Sequence, residues 1–273
     1  MNPLLNEKQV ILKWVADMYD QKITETNDVA FLLSVIGHQP KKILEVGCGS
    51  GRILVPLAKA GHTVSGLDAN QFMLNKILAK AEGLCDIEWR KTDVVYSDWG
   101  TGFDVVVLAS NILYNIESDM DYKQSQQLLI QKAASALVLG GYVYIEYQPG
   151  GHHITQYGSS YNKDDEWVMW EGTDGDGNHG RQILLGDSYD AITGTCKFIR
   201  RFELTLKNGE IITRDVLCQK HVASLEQLHG WLHNAGFIIE QEYGDTNKNA
   251  VTDESRGVII YAKVNTRSQH NSV

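Results

Sequence analysis

A glycine-rich turn between a strand pattern and a helix pattern constrains the fold of this chain more than any other segment. The apolar run KKILEVG at 41–47 is typical of a buried strand, and Gly47, Gly49 and Gly51 follow its last hydrophobic residues. Glycine allows a sharp turn and lets a ligand approach the main chain closely. The helix that follows presents free N–H groups at its start to a polar or anionic group. The segment therefore predicts a ligand site at the end of a strand.

Strand and helix patterns alternate on both sides of this turn. The expected strands are 41–47, 62–68, 85–93, 103–110 and 140–148, and the expected helices end at Gly61 or span 70–83 and 121–138. The run at 103–110 is apolar throughout, as in a strand that is buried on both faces. Such alternation indicates βαβ units and a parallel sheet.

The segments on either side of this region have different patterns. Two helical patterns, at 6–19 and 25–37, precede it. Short β-like runs fill residues 166–220, and a helix at 224–236 with two strands at 237–244 and 256–264 completes the chain. We therefore expect an α/β fold that carries a β-rich insertion between its fifth strand and its last helix.

Composition and charge argue against several classes of function. The 34 acidic and 25 basic residues give a formal charge of −9 without a cluster of lysine or arginine, so nucleic acid is not an expected partner. No apolar stretch approaches the ~18 residues that would span a membrane. The first residues lack the pattern of a secretory signal, so we expect a cytoplasmic protein. In that compartment the four cysteines, which include no C-x-x-C pair, are expected to be free buried thiols.

Two acidic residues flank the glycine turn and indicate the charge of the ligand. Asp68 ends the following strand, where a carboxylate can accept both hydroxyl hydrogens of a ribose. Glu45, before the turn, would repel a pyrophosphate but can accept a hydrogen bond from an ammonium group. The dinucleotide pattern G-x-G-x-x-G would also need a glycine where this chain has Arg52. These residues suit a cationic nucleoside with an amino-acid tail, which describes S-adenosylmethionine.

The segment E-V-G-C-G-S-G at 45–51, with Asp68 after the next strand, resembles the first motifs of the class I S-adenosylmethionine-dependent methyltransferases. The resemblance covers residues 40–150, with a weaker fit at 224–264. It implies a Rossmann-like, doubly wound, mostly parallel seven-stranded sheet, with S-adenosyl-L-methionine as cofactor and S-adenosyl-L-homocysteine as product. The cofactor contacts that it implies come from the glycine turn, the neighbouring strand ends and one N-terminal tyrosine: Glu45, Gly47, Cys48, Gly49, Gly51, Arg52, Asp68, Ala69, Met73, Asp93, Val94, Ser110 and Tyr19.

Some of these implied roles have alternatives. The resemblance implies that Met73 covers one face of the adenine, that Asp93 with Val94 reads its amino group, and that Ser110 contacts the cofactor through its backbone. Asp93 is also suited to capping a helix or bracing a loop. Met73 lies at a helical spacing that is equally typical of core packing.

The segment FDVVVLASNILYNI at 103–116 is similar to that of small-molecule N-methyltransferases of the glycine and amino-sugar types, which carry a β-rich insertion over the active site. Asn111 falls where the glycine-type enzymes place a substrate-contacting asparagine. Gln148 stands where those enzymes place an arginine that clamps the substrate carboxylate, which argues against glycine itself. His152, His153 and Tyr114 are candidate general bases. A solvated histidine loop and a core aromatic are the alternatives for these residues.

We therefore predict a single methyltransferase domain, residues 1–273, that methylates a small molecule, with an amine slightly preferred over a hydroxyl. Its expected parts are a helical lid, a cofactor-binding core, a β-rich substrate cover, and a last helix with two strands, at 1–39, 40–150, 151–222 and 223–264. No metal is expected, because the aspartate-rich turn at 173–180 and the pair His229 and His233 lack complete ligand patterns. The open alternatives are a nucleic-acid or protein methyltransferase, an NAD-dependent oxidoreductase and a non-catalytic regulatory protein that binds S-adenosylmethionine. Both a monomer and a homodimer are compatible with the sequence.

Overall fold

The computed structural model describes residues 5–148 and 166–265. The chain divides into two compact units, a larger one of residues 26–149 with 223–273 and a smaller one of residues 1–25 with 150–222. The helices are α1 Glu7–Lys22, α2 Asn27–Ile36, α3 Leu54–Lys59, α4 Gln71–Leu74, α5 Ile77–Lys80, α6 Ile112–Asn115, α7 Tyr122–Ala136 and α8 Leu225–Asn234. The strands are β1 Lys42–Val46, β2 Thr63–Asp68, β3 Ile87–Lys91, β4 Phe103–Leu108, β5 Leu137–Tyr147, β6 Trp167–Thr173, β7 His179–Asp190, β8 Thr195–Thr205, β9 Ile211–His221, β10 Phe237–Tyr243 and β11 Val258–Val264.

The larger unit is built on a seven-stranded sheet with the order β10-β11-β5-β4-β1-β2-β3. Strands β1 to β5 pair in parallel, and β11 pairs antiparallel with both β5 and β10. The predicted α/β class and the mostly parallel seven-stranded sheet are therefore confirmed. Strand β1 lies between β2 and β4, so the sheet grows in opposite directions from it. In open α/β sheets, ligands bind at the carboxyl ends of the strands at such a point.

Both faces of this sheet are covered by helices. Along β4, Val105 and Val107 belong to one hydrophobic cluster, which includes residues of α2 and α3. Val106 and Leu108 belong to a second cluster, which includes residues of α7 and α8. Successive strand residues point to opposite faces of a sheet, so a strand between two helical layers must be apolar at every position. The unbroken apolar run of β4 therefore reflects the doubly wound architecture.

The smaller unit is a four-stranded antiparallel sheet, ordered β6-β7-β8-β9, with α1 packed on it. Asn6 caps α1 through a capping box with Gln9. Trp14 of α1 is fully buried, and its indole N–H donates to the carbonyl of Gly172 at 3.1 Å. A Cβ at Gly180 would lie 2.8 Å from the Trp14 ring, so the sheet needs glycine where the indole packs. This sheet is the β-rich insertion that the sequence predicts after the fifth strand.

The predicted helical lid is divided between the two units. Helix α1 belongs to the smaller unit with the inserted sheet, and α2 belongs to the larger unit with the parallel sheet. The partition of one domain into lid, core, cover and last helix stays a prediction.

Three local features refine the sequence-based expectations. The helix expected at 70–83 is two short helices, α4 and α5, separated at Asn75, a residue type of low helix propensity. The aspartate-rich segment is the turn between β6 and β7, where the Asp174 carboxylate accepts from the N–H groups of Asp176 and Asn178. Cys85 is exposed, so the expectation of buried thiols was wrong there. Among the described residues, no helix is both long and apolar enough to cross a membrane.

Candidate active site

The glycine turn lies at the carboxyl end of β1, and packing explains two of its glycines. Gly47 and Gly51 have φ values of 77° and 80°, a backbone region that other residues rarely adopt. A Cβ at Gly47 would lie 2.7 Å from Cδ1 of Ile112, and one at Gly51 would lie 3.1 Å from side-chain carbons of Ile77 and Val55. These two glycines are therefore required by the close approach of neighbouring side chains.

Gly49 differs from its neighbours, because a Cβ added there would meet no atom of the described residues within 4 Å. Its φ is 53°, and its N–H donates to Oδ2 of Asp68 at 2.8 Å. The main chain at Gly49 is thus fixed from one side and open on the other. Such an open glycine is suited to close contact with a ligand.

Asp68 ends β2 and organises the loops around it. Its Oδ1 accepts from the N–H of Asn70 at 2.7 Å, while its Oδ2 accepts from Gly49. Burial raises the pKa of Asp68, although these backbone hydrogen bonds oppose the shift. Each carboxylate oxygen can accept two hydrogen bonds. Asp68 therefore keeps acceptor capacity for a pair of ligand hydroxyls.

Glu45 is the most unusual polar side chain in the larger unit. It is only 4% exposed, and its Oε2 has no hydrogen-bond partner among residues 5–148 and 166–265. Burial raises the pKa of Glu45 well above its usual range, Arg52 lowers it, and Asp68 and Asp28 raise it further. Buried polar atoms in proteins are nearly always paired, so a carboxyl oxygen without a partner in the described part of the chain is suited to a hydrogen bond from a ligand.

Cys48, Arg52 and Ala69 complete the residues expected around the turn. Cys48 is buried with its sulfur against Gly66, and burial raises the pKa of its thiol, so only its main chain can meet a ligand. The Arg52 side chain is directed to Asp28 of α2 and to Ser110. Ala69 is exposed directly after Asp68.

The expected adenine-side residues lie in the loops after β2 and β3. Met73 is half-buried in α4. Asp93 is exposed, and its Oδ1 accepts from the N–H groups of Val95 and Tyr96 at 2.9 and 3.3 Å. The carbonyl of Val94 accepts from Nζ of Lys132 at 2.6 Å. Asp93 therefore braces its own loop, which was the alternative reading of its sequence position.

The turn after β4 contains two consecutive residues in the left-handed region, Ser110 with φ 52° and Asn111 with φ 57°. The end of β5 holds both of them. The Ser110 N–H donates to Oε2 of Glu146 at 3.1 Å, and Oδ1 of Asn111 accepts from the N–H of Gln148, also at 3.1 Å. Residues in this region persist only where surrounding contacts impose it, and they concentrate at functional sites.

Of the four candidate catalytic residues, the structure describes two, and both lie at or just after the turn that follows β4. Asn111 lies in the turn after β4, and Tyr114 is half-buried in α6 against the adjacent hydrophobic cluster. His152 and His153 lie outside the described residues. Tyr19 belongs to the smaller unit, where its ring packs edge-on against Trp170 at 6.3 Å between centroids.

Two residues of this region were missed by sequence reasoning, Asp28 and Glu146. An acid in the first turn of a helix is common, so Asp28 carried no specific signal. Glu146 did carry one, because it is a charged residue within the apolar run of β5. Together with Glu45 and Asp68 they make an acidic neighbourhood around Arg52. The orphan oxygen of Glu45, the open main chain at Gly49 and this charge fit a cationic nucleoside.

Comparison with known proteins matches the part of the chain that carries this site to a methyltransferase domain. Residues 43–141 match the family model of a methyltransferase domain. A putative methyltransferase of Geobacillus sp. (strain WCH70) is 24% identical over 225 residues, covering 82% of this chain and 84% of that protein. The ubiquinone biosynthesis O-methyltransferase of Brucella ovis is 35% identical over 108 residues, which are 38% of this chain and 40% of that enzyme.

Solved structures share the architecture over nearly the whole chain. The sugar N-methyltransferase KedS8 of Streptoalloteichus sp superposes with a TM-score of 0.65 at 14% identity, covering 97% of this chain and 94% of that one. The family match spans the strands that carry the glycine turn and the turn after β4. Residues 43–141 therefore match a methyltransferase domain, and the doubly wound seven-stranded sheet around them is the fold of the S-adenosylmethionine-dependent methyltransferases that the chain resembles.

Proposed function

We propose that the chain methylates a small molecule, and that an amine is preferred over a hydroxyl as the acceptor. The main observation is the site at the carboxyl ends of β1, β2 and β4, where Glu45 of β1 has a buried carboxyl oxygen without a partner among the described residues and the glycine turn that follows is open at Gly49. Support for an amine comes from the solved structures. The sugar N-methyltransferase superposes over 97% of this chain, inserted sheet included.

The proposed cofactor contacts follow from the geometry. Oε2 of Glu45 accepts from the cofactor ammonium, and the remaining lone pairs of Asp68 accept from the ribose hydroxyls. The main chain at Gly49 lies against the cofactor. The remaining proposed contacts are those of Gly47, Cys48, Gly51, Ala69, Met73, Asp93, Val94, Ser110 and Tyr19.

For methyl transfer, the main task of the protein residues is to position the acceptor. When bound, the cofactor supplies a methyl group on a positively charged sulfur, which is a good leaving group. The residues around the turn after β4 then need to orient the acceptor in line and exclude water. An amine has to reach this position without its extra proton, whereas a hydroxyl needs a general base. Asn111 and Tyr114 are the described side chains proposed for this acceptor end, and His152 and His153 stay candidate bases.

Binding tests the cofactor site. Calorimetric titration with S-adenosylhomocysteine should show binding, and titration with NAD should show none, because Glu45 repels a pyrophosphate. Binding of NAD without binding of S-adenosylhomocysteine would contradict the proposed cofactor site.

A matched acceptor panel tests the amine preference. Methyl transfer to an amino sugar is compared with transfer to the same sugar carrying a hydroxyl at that carbon. We expect turnover with the amine and much slower turnover with the hydroxyl. Preferred hydroxyl turnover would overturn the amine assignment alone, and cofactor binding without turnover of either class would support the non-catalytic alternative.

A further inference from the structure

Arg52 follows the glycine turn directly and makes a two-pronged ion pair with Asp28 of α2. Its Nη1 donates to Oδ1 of Asp28 at 2.8 Å, and its Nη2 donates to Oδ2 at 2.6 Å. The same Nη2 also donates to Oγ of Ser110 at 3.0 Å, in the turn after β4. Arginine forks fix direction as well as distance, unlike a lysine ammonium. One guanidinium thus joins three separate elements.

The pair is well protected from solvent. The Arg52 side chain is 14% exposed and the Asp28 side chain 20%. Exposed ion pairs contribute little, but removal of one partner from a pair shielded in this way leaves the other charge uncompensated. Thr26, the cap of α2, makes no side-chain hydrogen bond to the helix start, so Asp28 is the polar anchor of that end.

Arg52 is also the positive charge that acts on the neighbouring carboxylates. It lowers the pKa of Glu45 and of Glu146, and Asp28 raises both. The other charged group that acts on Glu45 is Asp68. Loss of either member of the pair therefore changes the charge around Glu45, and the two losses act in opposite directions.

We propose that Arg52 is a positioning residue that ties α2 and the turn after β4 to the glycine turn, with Asp28 as its necessary partner. In this role Arg52 directs three of its five N–H donors to Asp28 and Ser110, and it acts on the cofactor site through these two residues rather than as a ligand. Cofactor affinity then depends on a residue of α2 that lies in none of the cofactor motifs. The inference rests on the proposed cofactor site.

A double-mutant cycle with Arg52→Met and Asp28→Asn tests the coupling. The affinity for S-adenosylhomocysteine is measured by calorimetry from pH 5.5 to 8.5. Each variant should bind more weakly by roughly five- to 150-fold, the usual range of coupling between sites, and the double variant no more weakly than Arg52→Met. On the acid side, which we call the acid limb, the affinity falls as the pH is lowered. The pH of this fall should be higher in Arg52→Met and lower in Asp28→Asn than in the parent, because these variants remove opposite charges near Glu45.

Hydrogen exchange gives a second readout that does not depend on binding. Amides of α2 should exchange faster in both single variants than in the parent. Arg52→Lys retains the charge but loses the fork, so it should keep the acid limb in place while α2 still exchanges faster. The control is Arg201→Met, which breaks another two-pronged arginine–aspartate pair, made by Nε and Nη2 at 2.7 and 2.8 Å to Asp215, in the smaller unit. This control should leave affinity and α2 exchange unchanged.

Other outcomes overturn the proposal in distinguishable ways. Weak binding in Arg52→Met with parental affinity in Asp28→Asn would make Arg52 a direct ligand. Lower thermal stability of both variants with parental affinity at every pH would reduce the pair to a structural brace. A parent protein that does not bind S-adenosylhomocysteine would overturn the proposed cofactor site and this inference with it.

Discussion

At the scale of single residues, burial opposes the ionised form of the acids in the site. Burial raises the pKa of Glu45, Asp68 and Glu146. A carboxyl whose pKa is raised on folding contributes most stability below the pKa of the unfolded chain, and that contribution is lost as the pH rises through the folded pKa. At neutral pH, the acids suited to a cationic ligand therefore destabilise the ligand-free protein.

Glu45→Gln should separate stability from binding. Without ligand, the variant should unfold at higher denaturant than the parent at neutral pH, because it lacks a carboxyl whose raised pKa destabilises the folded chain above the pKa of unfolded glutamate. The difference should vanish below about pH 4, where the unfolded glutamate is protonated. Affinity for S-adenosylhomocysteine should fall by about 1.5–3 kcal/mol, the range for a hydrogen bond to a charged group. Glu88→Gln, at an exposed position on β3, is the matched control; equal stability changes in the two variants would contradict the argument.

Replacement of Gly47 by alanine should mainly lower stability, whereas replacement of Gly49 should mainly lower ligand affinity. Gly47→Ala should lower thermal stability strongly, because its Cβ would collide with Ile112 at 2.7 Å. Gly49→Ala meets no atom of the chain, so its stability loss should stay near the roughly 1–2 kcal/mol of a left-handed alanine. Its affinity for S-adenosylhomocysteine should fall instead. Denaturation and calorimetry of both variants give the comparison, and unchanged affinity in Gly49→Ala would count against ligand contact there.

At the scale of elements, each strained or closely packed segment is held by a partner far along the chain. The turn after β4 keeps Ser110 and Asn111 left-handed through Glu146 and Gln148 at the end of β5. Helix α1 is held on the inserted sheet by Trp14, Met18 and polar contacts to the β6–β7 hairpin. Such contacts decide local conformations that propensity alone leaves open.

The turn after β4 should respond to the hydrogen bond of Glu146 rather than to its charge. Glu146→Gln keeps an acceptor for the Ser110 N–H and should keep acceptor turnover near that of the parent. Glu146→Ala removes it and should lower kcat/KM for the acceptor by roughly tenfold or more, as expected for about 1.5 kcal/mol. Steady-state kinetics of both variants provide the test, and equal losses would assign the role to charge.

Trp14→Ala should loosen α1 from the inserted sheet. The side chain is fully buried and packs against glycines that have no side chain to refill the space. Truncation of such an aromatic costs about 3–5 kcal/mol. Hydrogen exchange should speed up in α1, β6 and β7, while Trp231→Ala in the larger unit should leave those amides protected. Parental exchange in α1 of the Trp14 variant would contradict this packing.

At the scale of the whole molecule, the formal charge of −9 favours a cationic ligand over a neutral one. S-adenosylmethionine carries one more positive charge than S-adenosylhomocysteine. Its association rate should therefore fall more steeply as salt is raised from low to physiological ionic strength, where the Debye length is about 8 Å. Stopped-flow binding of the two ligands gives the comparison. Parallel salt dependences would show that the surface charge has no part in association.

Sequence reasoning reached the sheet, the order of its strands along the chain and the inserted β region. It also placed Gly47, Gly49, Gly51, Glu45 and Asp68 around one turn, because a strand–turn–helix is set by residues near one another. It did not find Asp28 or Glu146. Each of these meets its partner across a long stretch of chain, Asp28 at Arg52 and Glu146 at Ser110.

What this sequence determines by itself is local: apolar periodicity defines strands and helices, and glycine with flanking acids defines the turn. Only the tertiary structure decides that Gly47 and Gly51 serve packing while Gly49 stays open, that one oxygen of Glu45 has no donor among the described residues, and that Arg52 pairs with Asp28 of α2. Periodicity acts between neighbouring residues, whereas hydrogen bonds and burial depend on distances that exist only after distant segments have packed together.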